Sequence, residues 1–98
     1  MANTPDRERL LHIGEKDYVG FQFWGDDLPA GVHIDAGTVA VAPGTGLTLG
    51  SGAYNITADQ DGVYAWVTGV TAGEYEVSFT VNFSDTKILI RRYRVTVI

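Results

Sequence analysis

Between Glu74 and Phe83 the chain alternates without a break. Tyr75, Val77, Phe79, Val81 and Phe83 fall on one phase, and Glu74, Glu76, Ser78, Thr80 and Asn82 on the other. Successive side chains of an extended backbone point to opposite faces, so a period of two with aromatic and β-branched residues on one side marks a half-buried strand. Residues 63–68 read as a shorter strand ahead of it. Gly69-Val70-Thr71-Ala72-Gly73 joins the two, with a glycine at each end of the turn. A β-arm with one apolar face is not stable by itself, so the rest of the chain has to cover that face.

The covering pieces are strands as well. Residues 17–24 place Val19, Phe21 and Phe23 on one phase and Tyr18, Gln22 and Trp24 on the other. Short extended segments follow at 32–34, 38–42, 47–49 and 53–58, separated by loops rich in Gly, Asp and Pro. The last strand, 88–98, carries Tyr93, Val95 and Val97 on its apolar phase. A turn at Asp85-Thr86-Lys87 pairs Ser84 with Ile88, sets Phe79 against Tyr93 and Val77 against Val95, and makes the apolar faces coincide. Arg91 is the misfit of that register, since it falls inward near the hairpin tip. A bulge, or a position beyond the covering sheet, resolves it. Short strands at this spacing, with no helical period, predict an all-β fold: an immunoglobulin-like (Ig-like) β-sandwich of about seven short antiparallel strands, or else a small barrel.

Ahead of this domain, assigned to residues 15–98, residues 1–14 read as an extended N-terminal arm. Its start is polar and charged, and it ends in Leu10-Leu11-His12-Ile13, which fits either a short edge strand or a single helical turn. An arm of this kind is expected to order against a neighbouring subunit, leaving a domain that folds without residues 1–13. It carries no apolar core or cleavage site of a secretory signal, and no run long enough to span a membrane interrupts the chain.

Charge and cysteine usage narrow the functional classes. A net charge of −5 opposes general affinity for nucleic acid. The absence of cysteine removes disulfides, thiolate zinc sites and thiol nucleophiles, and favours assembly in a reducing cytoplasm. Asp59-Gln60-Asp61-Gly62 resembles part of a calcium loop, but Thr68 stands where the bidentate Glu is required, and a tight turn needs the same residues. His12 and His33 have no companion ligand at useful spacing. Ser51 lies between glycines without the strand-to-helix setting of a nucleophile elbow. Lys87, Arg91, Arg92 and Arg94 split between faces on a strand, which favours cross-strand pairing over a basic patch. These residues predict a non-enzymatic protein with no catalytic residue, metal or cofactor.

Several motifs place the chain near a known group. Asp17-Tyr18 opens a strand; Thr38-Val39-Ala40-Val41-Ala42-Pro43 is followed by Gly46-Leu47-Thr48-Leu49; then come the run from Ala65 to Tyr75, the turn near Asp85, the arginines before the last strand, and Val95-Thr96-Val97. Over about 80 residues this order resembles the small Ig-like virion proteins of tailed phages, the fiber–tail adaptor type. The chain departs from that pattern at Val39, where the group usually has Trp, and in residues 1–14. The resemblance implies an Ig-like sandwich in a phage virion, built in the host cytoplasm, that binds other virion proteins of the tail, fiber, portal region or capsid. Two alternatives share the fold: a capsid decoration (cement) protein of the head, and a carbohydrate-binding sandwich reaching the host surface through Trp24 or Trp66.

The expected contacts are surface residues of unusual character. If Val63, Ala65 and Val67 face the core, Tyr64 and Trp66 point outward, as Tyr18 and Trp24 do against Val19, Phe21 and Phe23. The opposite phase makes Trp66 a central core tryptophan. Ile88, Ile90 and Ile98 lie on the outward phase of the last strand. With Leu10, Leu11 and Ile13 of the arm, they predict one edge for a protein partner, by strand addition or in a symmetric homo-oligomer. The competing possibility is that the arm folds back within the monomer and covers Ile88 and Ile90.

Overall fold

A computed structural model describes residues 5–50 and 52–98. Its strands are β1 (Arg7–Leu11), β2 (Lys16–Gln22), β3 (Ile34–Ala42), β4 (Leu47–Leu49), β5 (Asn55–Ile56), β6 (Gly62–Gly69), β7 (Gly73–Phe83) and β8 (Ile88–Val97), with a 3-10 turn at Gly25–Asp27. One sheet has the order β1-β8-β7-β3 and the other β2-β6-β4, with β5 pairing β6 farther along the edge that β4 occupies. The two pack face to face in a body only 18 Å thick in its shortest dimension, as two sheets about 10 Å apart require.

The alternation that opens the sequence decides the core. Tyr75, Val77, Phe79, Val81 and Phe83 are all buried on β7, against Val19, Val63, Ala65 and Val67 of the facing sheet. Phe21 meets Phe79 and Tyr93 edge to face, with centroids 5.7 and 5.6 Å apart. In chain order β2, β6 and the interrupted β4/β5 correspond to strands B, E and D of an immunoglobulin domain, and β3, β7 and β8 to C, F and G. The all-β, Ig-like sandwich predicted from the sequence is the fold.

A corner between β6 and β7 adds a further feature of that fold. The Tyr75 hydroxyl donates to the Thr71 carbonyl at 2.7 Å, the tyrosine-corner contact expected near the start of strand F. The backbone N–H groups of Val70 and Thr71 both donate to the Gly46 carbonyl, at 2.9 and 3.1 Å. Gly46 has φ +97°, and a Cβ there would run into the Tyr75 ring. The two loops at this end are therefore stitched together through one glycine and one tyrosine.

Four expectations change. The strands number eight among the described residues, and β1 runs parallel to β8, from Arg7 opposite Tyr93 to Leu11 opposite Val97. Much of the predicted free arm is thus a strand of the sandwich, and Leu11, expected at a protein interface, is wholly buried in the core. Residues 1–4 of that arm lie outside the described residues. The β7–β8 hairpin is displaced by two residues from the predicted register, with Val77 opposite Tyr93 and Tyr75 opposite Val95. The cause is the turn: Thr86, at φ +73°, donates its N–H to the Phe83 carbonyl, and Phe83 pairs with Lys87. The loop is therefore Ser84-Asp85-Thr86, a three-residue connection with its last residue left-handed. Finally, residues 32–34 and 38–42 are not separate strands, because β3 runs through from Ile34 with an irregularity before Ala36.

Candidate interaction surfaces

Two outward faces carry residues that a solvated sheet normally lacks. On the outer face of the β1-β8-β7-β3 sheet, Ile88 is 62% and Ile90 51% exposed. Across the ladder, Ile90 sits beside Thr80 and then Thr38, and Ile88 beside Asn82 and then Ala36. Short side chains on β7 and β3 leave the isoleucines standing above them. β1 does not cover them, since it pairs only from Tyr93 onward and its approach ends where the Asp6 N–H meets the Arg92 carbonyl at 3.0 Å. Among the described residues no strand pairs with β8 from Ile88 to Leu89 on that side.

Ile98 belongs elsewhere. It lies roughly 27 Å along β8 from Ile90 at the usual rise per residue, and arginines stand between them. Arg92 pairs with Glu76 at 3.6 Å, and Arg94 with Glu8 and Glu74 at 3.0 and 3.7 Å. These pairs are solvent-exposed and add little stability individually, but they divide the predicted patch in two. The far part brings exposed Ile98, Leu10 and Ile13 to one end of the sandwich, where the Ile13 N–H donates to the Ile98 carbonyl. Arg91, the inward misfit, projects past the covering sheet: its guanidinium lies 5.9 Å from the Phe23 ring centroid and 3.7 Å from the Asp27 carboxylate.

The second face is the outside of the β2-β6-β4 sheet. Trp66 is 37% exposed and points away from the core, which settles the phase left open by the sequence. Tyr18 stands beside it on β2, with ring centroids 5.5 Å apart and edge to face, and Tyr64 is 6.1 Å from Tyr18 in the same manner. The Lys16 ammonium is 5.8 Å from the Trp66 centroid. Trp24 does not join them. It lies six residues past Tyr18, roughly 20 Å away along an extended chain, and is 67% exposed beside the 3-10 turn.

A groove of about 840 Å³ runs along this face and the outer edge of β2. It is lined by Tyr18, Tyr64 and Trp66, by Gln22 and Thr57, by Arg7, Arg9 and Asp17 at the β1–β2 side, and by residues of the inward phase, among them Phe21 of β2 and Tyr93 of β8. Arg9 is paired with Asp17, tying β1 to β2. The placement of Arg7 and Arg9 was not anticipated. Their shared phase with Leu11 in the sequence is the signal of a strand that was available.

The acidic turn ahead of β6 has a structural assignment. The Thr57 hydroxyl accepts the N–H groups of Asp61 and Gly62 and donates to the Asp61 carboxylate at 2.7 Å. That hydrogen bond holds the Asp61 carboxyl below its ordinary range. Ser51 lies outside the described residues. Among the described residues, no three His, Cys, Asp or Glu side chains gather closely enough to hold a metal ion, and no helix is long and apolar enough to cross a membrane.

No family model matches the chain, and no curated protein matches it. Among solved structures it is similar to amebosin, whose solution structure aligns over 96% of this chain and 90% of that one, at 10% identity and a TM-score of 0.44. A likeness that distant bears on neither family nor function.

Proposed function

We propose that this protein is a non-enzymatic component of a tailed-phage virion, an Ig-like adaptor that binds other virion proteins in the tail and fiber region. The observation that carries the reading is the exposed pair Ile88 and Ile90 on the outer face of β8. Burying what these two still expose contributes about 1 kcal/mol each, half the value of fully burying such a side chain. The flat surround of Thr38, Thr80 and Ala36 offers no steric obstacle to a docking surface. The resemblance in residues 38–49 and 65–75 supports the placement in a virion.

The test is incorporation. Particles assembled with the wild-type chain are expected to contain it at a fixed ratio to other virion proteins, measured by mass spectrometry of purified particles. The double variant Ile88→Asp, Ile90→Asp should retain the folded domain's melting temperature and be depleted from particles. Undiminished incorporation of a folded double variant rejects this face as the attachment surface, and absence of the wild-type chain from particles rejects the virion role.

A further inference from the structure

The groove along β2 is unused by the proposed attachment face, which belongs to the other sheet, and its lining has a chemistry of its own. Three aromatic rings, Tyr18, Tyr64 and Trp66, point outward while Val19, Val63, Ala65 and Val67 fill the inward phase. The rings are therefore not held by the core. They brace one another edge to face, an arrangement that fixes their positions without stacking them together.

The backbone beside the rings is kept bare. Gly20 pairs with Tyr64, and the Gly50 N–H donates to the Trp66 carbonyl at 2.7 Å. A Cβ at Gly20 would lie 2.8 Å from the Tyr64 Cβ, and one at Gly50 2.8 Å from the Trp66 Cβ. Neither glycine has a left-handed φ, so close approach to the neighbouring strand is what requires glycine there. Of the two, Gly20 lines the groove and leaves it open beside the Tyr64 ring; Gln22 and Thr57 border it, the Thr57 hydroxyl being taken up by Asp61 and Gly62.

Its charge runs against that of the chain. In a protein of net charge −5, the charged groups lining the groove are Arg7, Arg9 and Asp17. Arg9 and Asp17 neutralise each other, whereas Arg7 makes no ion pair among the described residues. An arginine fork is suited to a carboxylate, which it binds bidentately.

The geometry points to a saccharide site, and specifically to one for a carboxylate-bearing oligosaccharide. The C–H faces of pyranose rings lie against Tyr18, Tyr64 and Trp66, and the carboxylate meets Arg7. The groove's volume is within the range of small-ligand sites. An apolar peptide matches the rings but leaves Arg7 without a partner. This inference is independent of the virion role and adds to it a contact with an acidic glycan.

The full chain is titrated with a tetra-uronate, with a neutral tetra-hexose of the same linkage, and with inorganic phosphate, and binding is followed by amide chemical shifts. Saturable binding of the tetra-uronate is expected, with shifts on β2 and β6, and binding about tenfold or more weaker in Tyr18→Ala and in Trp66→Ala. Tyr18 is 56% exposed, so its variant keeps the fold. Arg7→Gln should bring the tetra-uronate down to the affinity of the neutral sugar. The inference is overturned if the tetra-uronate does not saturate, if Tyr18→Ala binds it undiminished, if the neutral sugar binds the wild type equally well, or if phosphate displaces it at equal concentration.

Discussion

The hydroxyl of Tyr75 donates to the carbonyl of Thr71, 2.7 Å away and four residues earlier in the chain, across the corner that joins β6 to β7. The peptide N–H of Thr71 is held in turn by Gly46, so two loops depend on one phenol. Tyr75→Phe removes the bond and leaves the ring in place, and is expected to cost about 0.5–1.5 kcal/mol. Gly46→Ala adds a left-handed alanine and a collision with the Tyr75 ring, so it should cost more than Tyr75→Phe. Urea denaturation of the two variants gives the ranking directly.

Phe79 is wholly buried, edge to face with Phe21 at 5.7 Å and tilted against Tyr54 at 6.4 Å. Phe79→Ala should lower stability by about 3–5 kcal/mol. An unchanged melting temperature would contradict the placement of the core.

Leu11 is equally buried, and its backbone carbonyl accepts the Ile98 N–H at 2.9 Å. Leu11→Ala should cost about 2–5 kcal/mol. Removal of residues 1–13 takes away β1 entirely and should destabilise the isolated domain, measured by thermal unfolding. A truncated chain as stable as the full one would restore the free-arm reading.

Tyr54 packs over Gly37, with its hydroxyl 3.3 Å from the Ala36 carbonyl, and burial pushes its phenol up to about 12. In the unfolded chain the phenol loses its proton near pH 10. The stability it contributes is therefore whole below about pH 10 and is lost as the pH rises toward about 12. Urea midpoints through that window should fall more steeply for the wild type than for Tyr54→Phe. Parallel pH profiles would contradict the assignment.

The sandwich was legible because alternation is local. Tyr75 to Phe83 announce one buried face, and nothing distant alters the parity of a strand. The same property hid the register error, since a slip of two residues between β7 and β8 keeps every side chain on its predicted face. Only the left-handed Thr86 sets the true pairing, and a threonine gives little warning of that conformation. An edge strand near Leu10 was one of the options the sequence left open, but its start at Arg7 and its parallel pairing with β8 were hidden for a different reason. Its partner lies more than eighty positions away, and parallel pairing leaves no turn signature between the two strands. Of the candidate surfaces, the outward phase of Ile88, Ile90, Tyr64 and Trp66 could be read from alternation. The separation of Ile98 by Arg92 and Arg94, the distance of Trp24 from Trp66, and the arrival of Arg7 beside Tyr18 depend on sheet packing and could not.

The proposal that this chain is a virion adaptor docking through its β8 face is tested most directly by a reconstruction of purified phage particles at a resolution that separates β-strands. The domain fitted to such a map is expected to have Ile88 and Ile90 covered by a neighbouring chain, at the junction of tail and fiber. A map in which those two side chains face solvent while another surface of the domain makes the contact would contradict the proposed attachment.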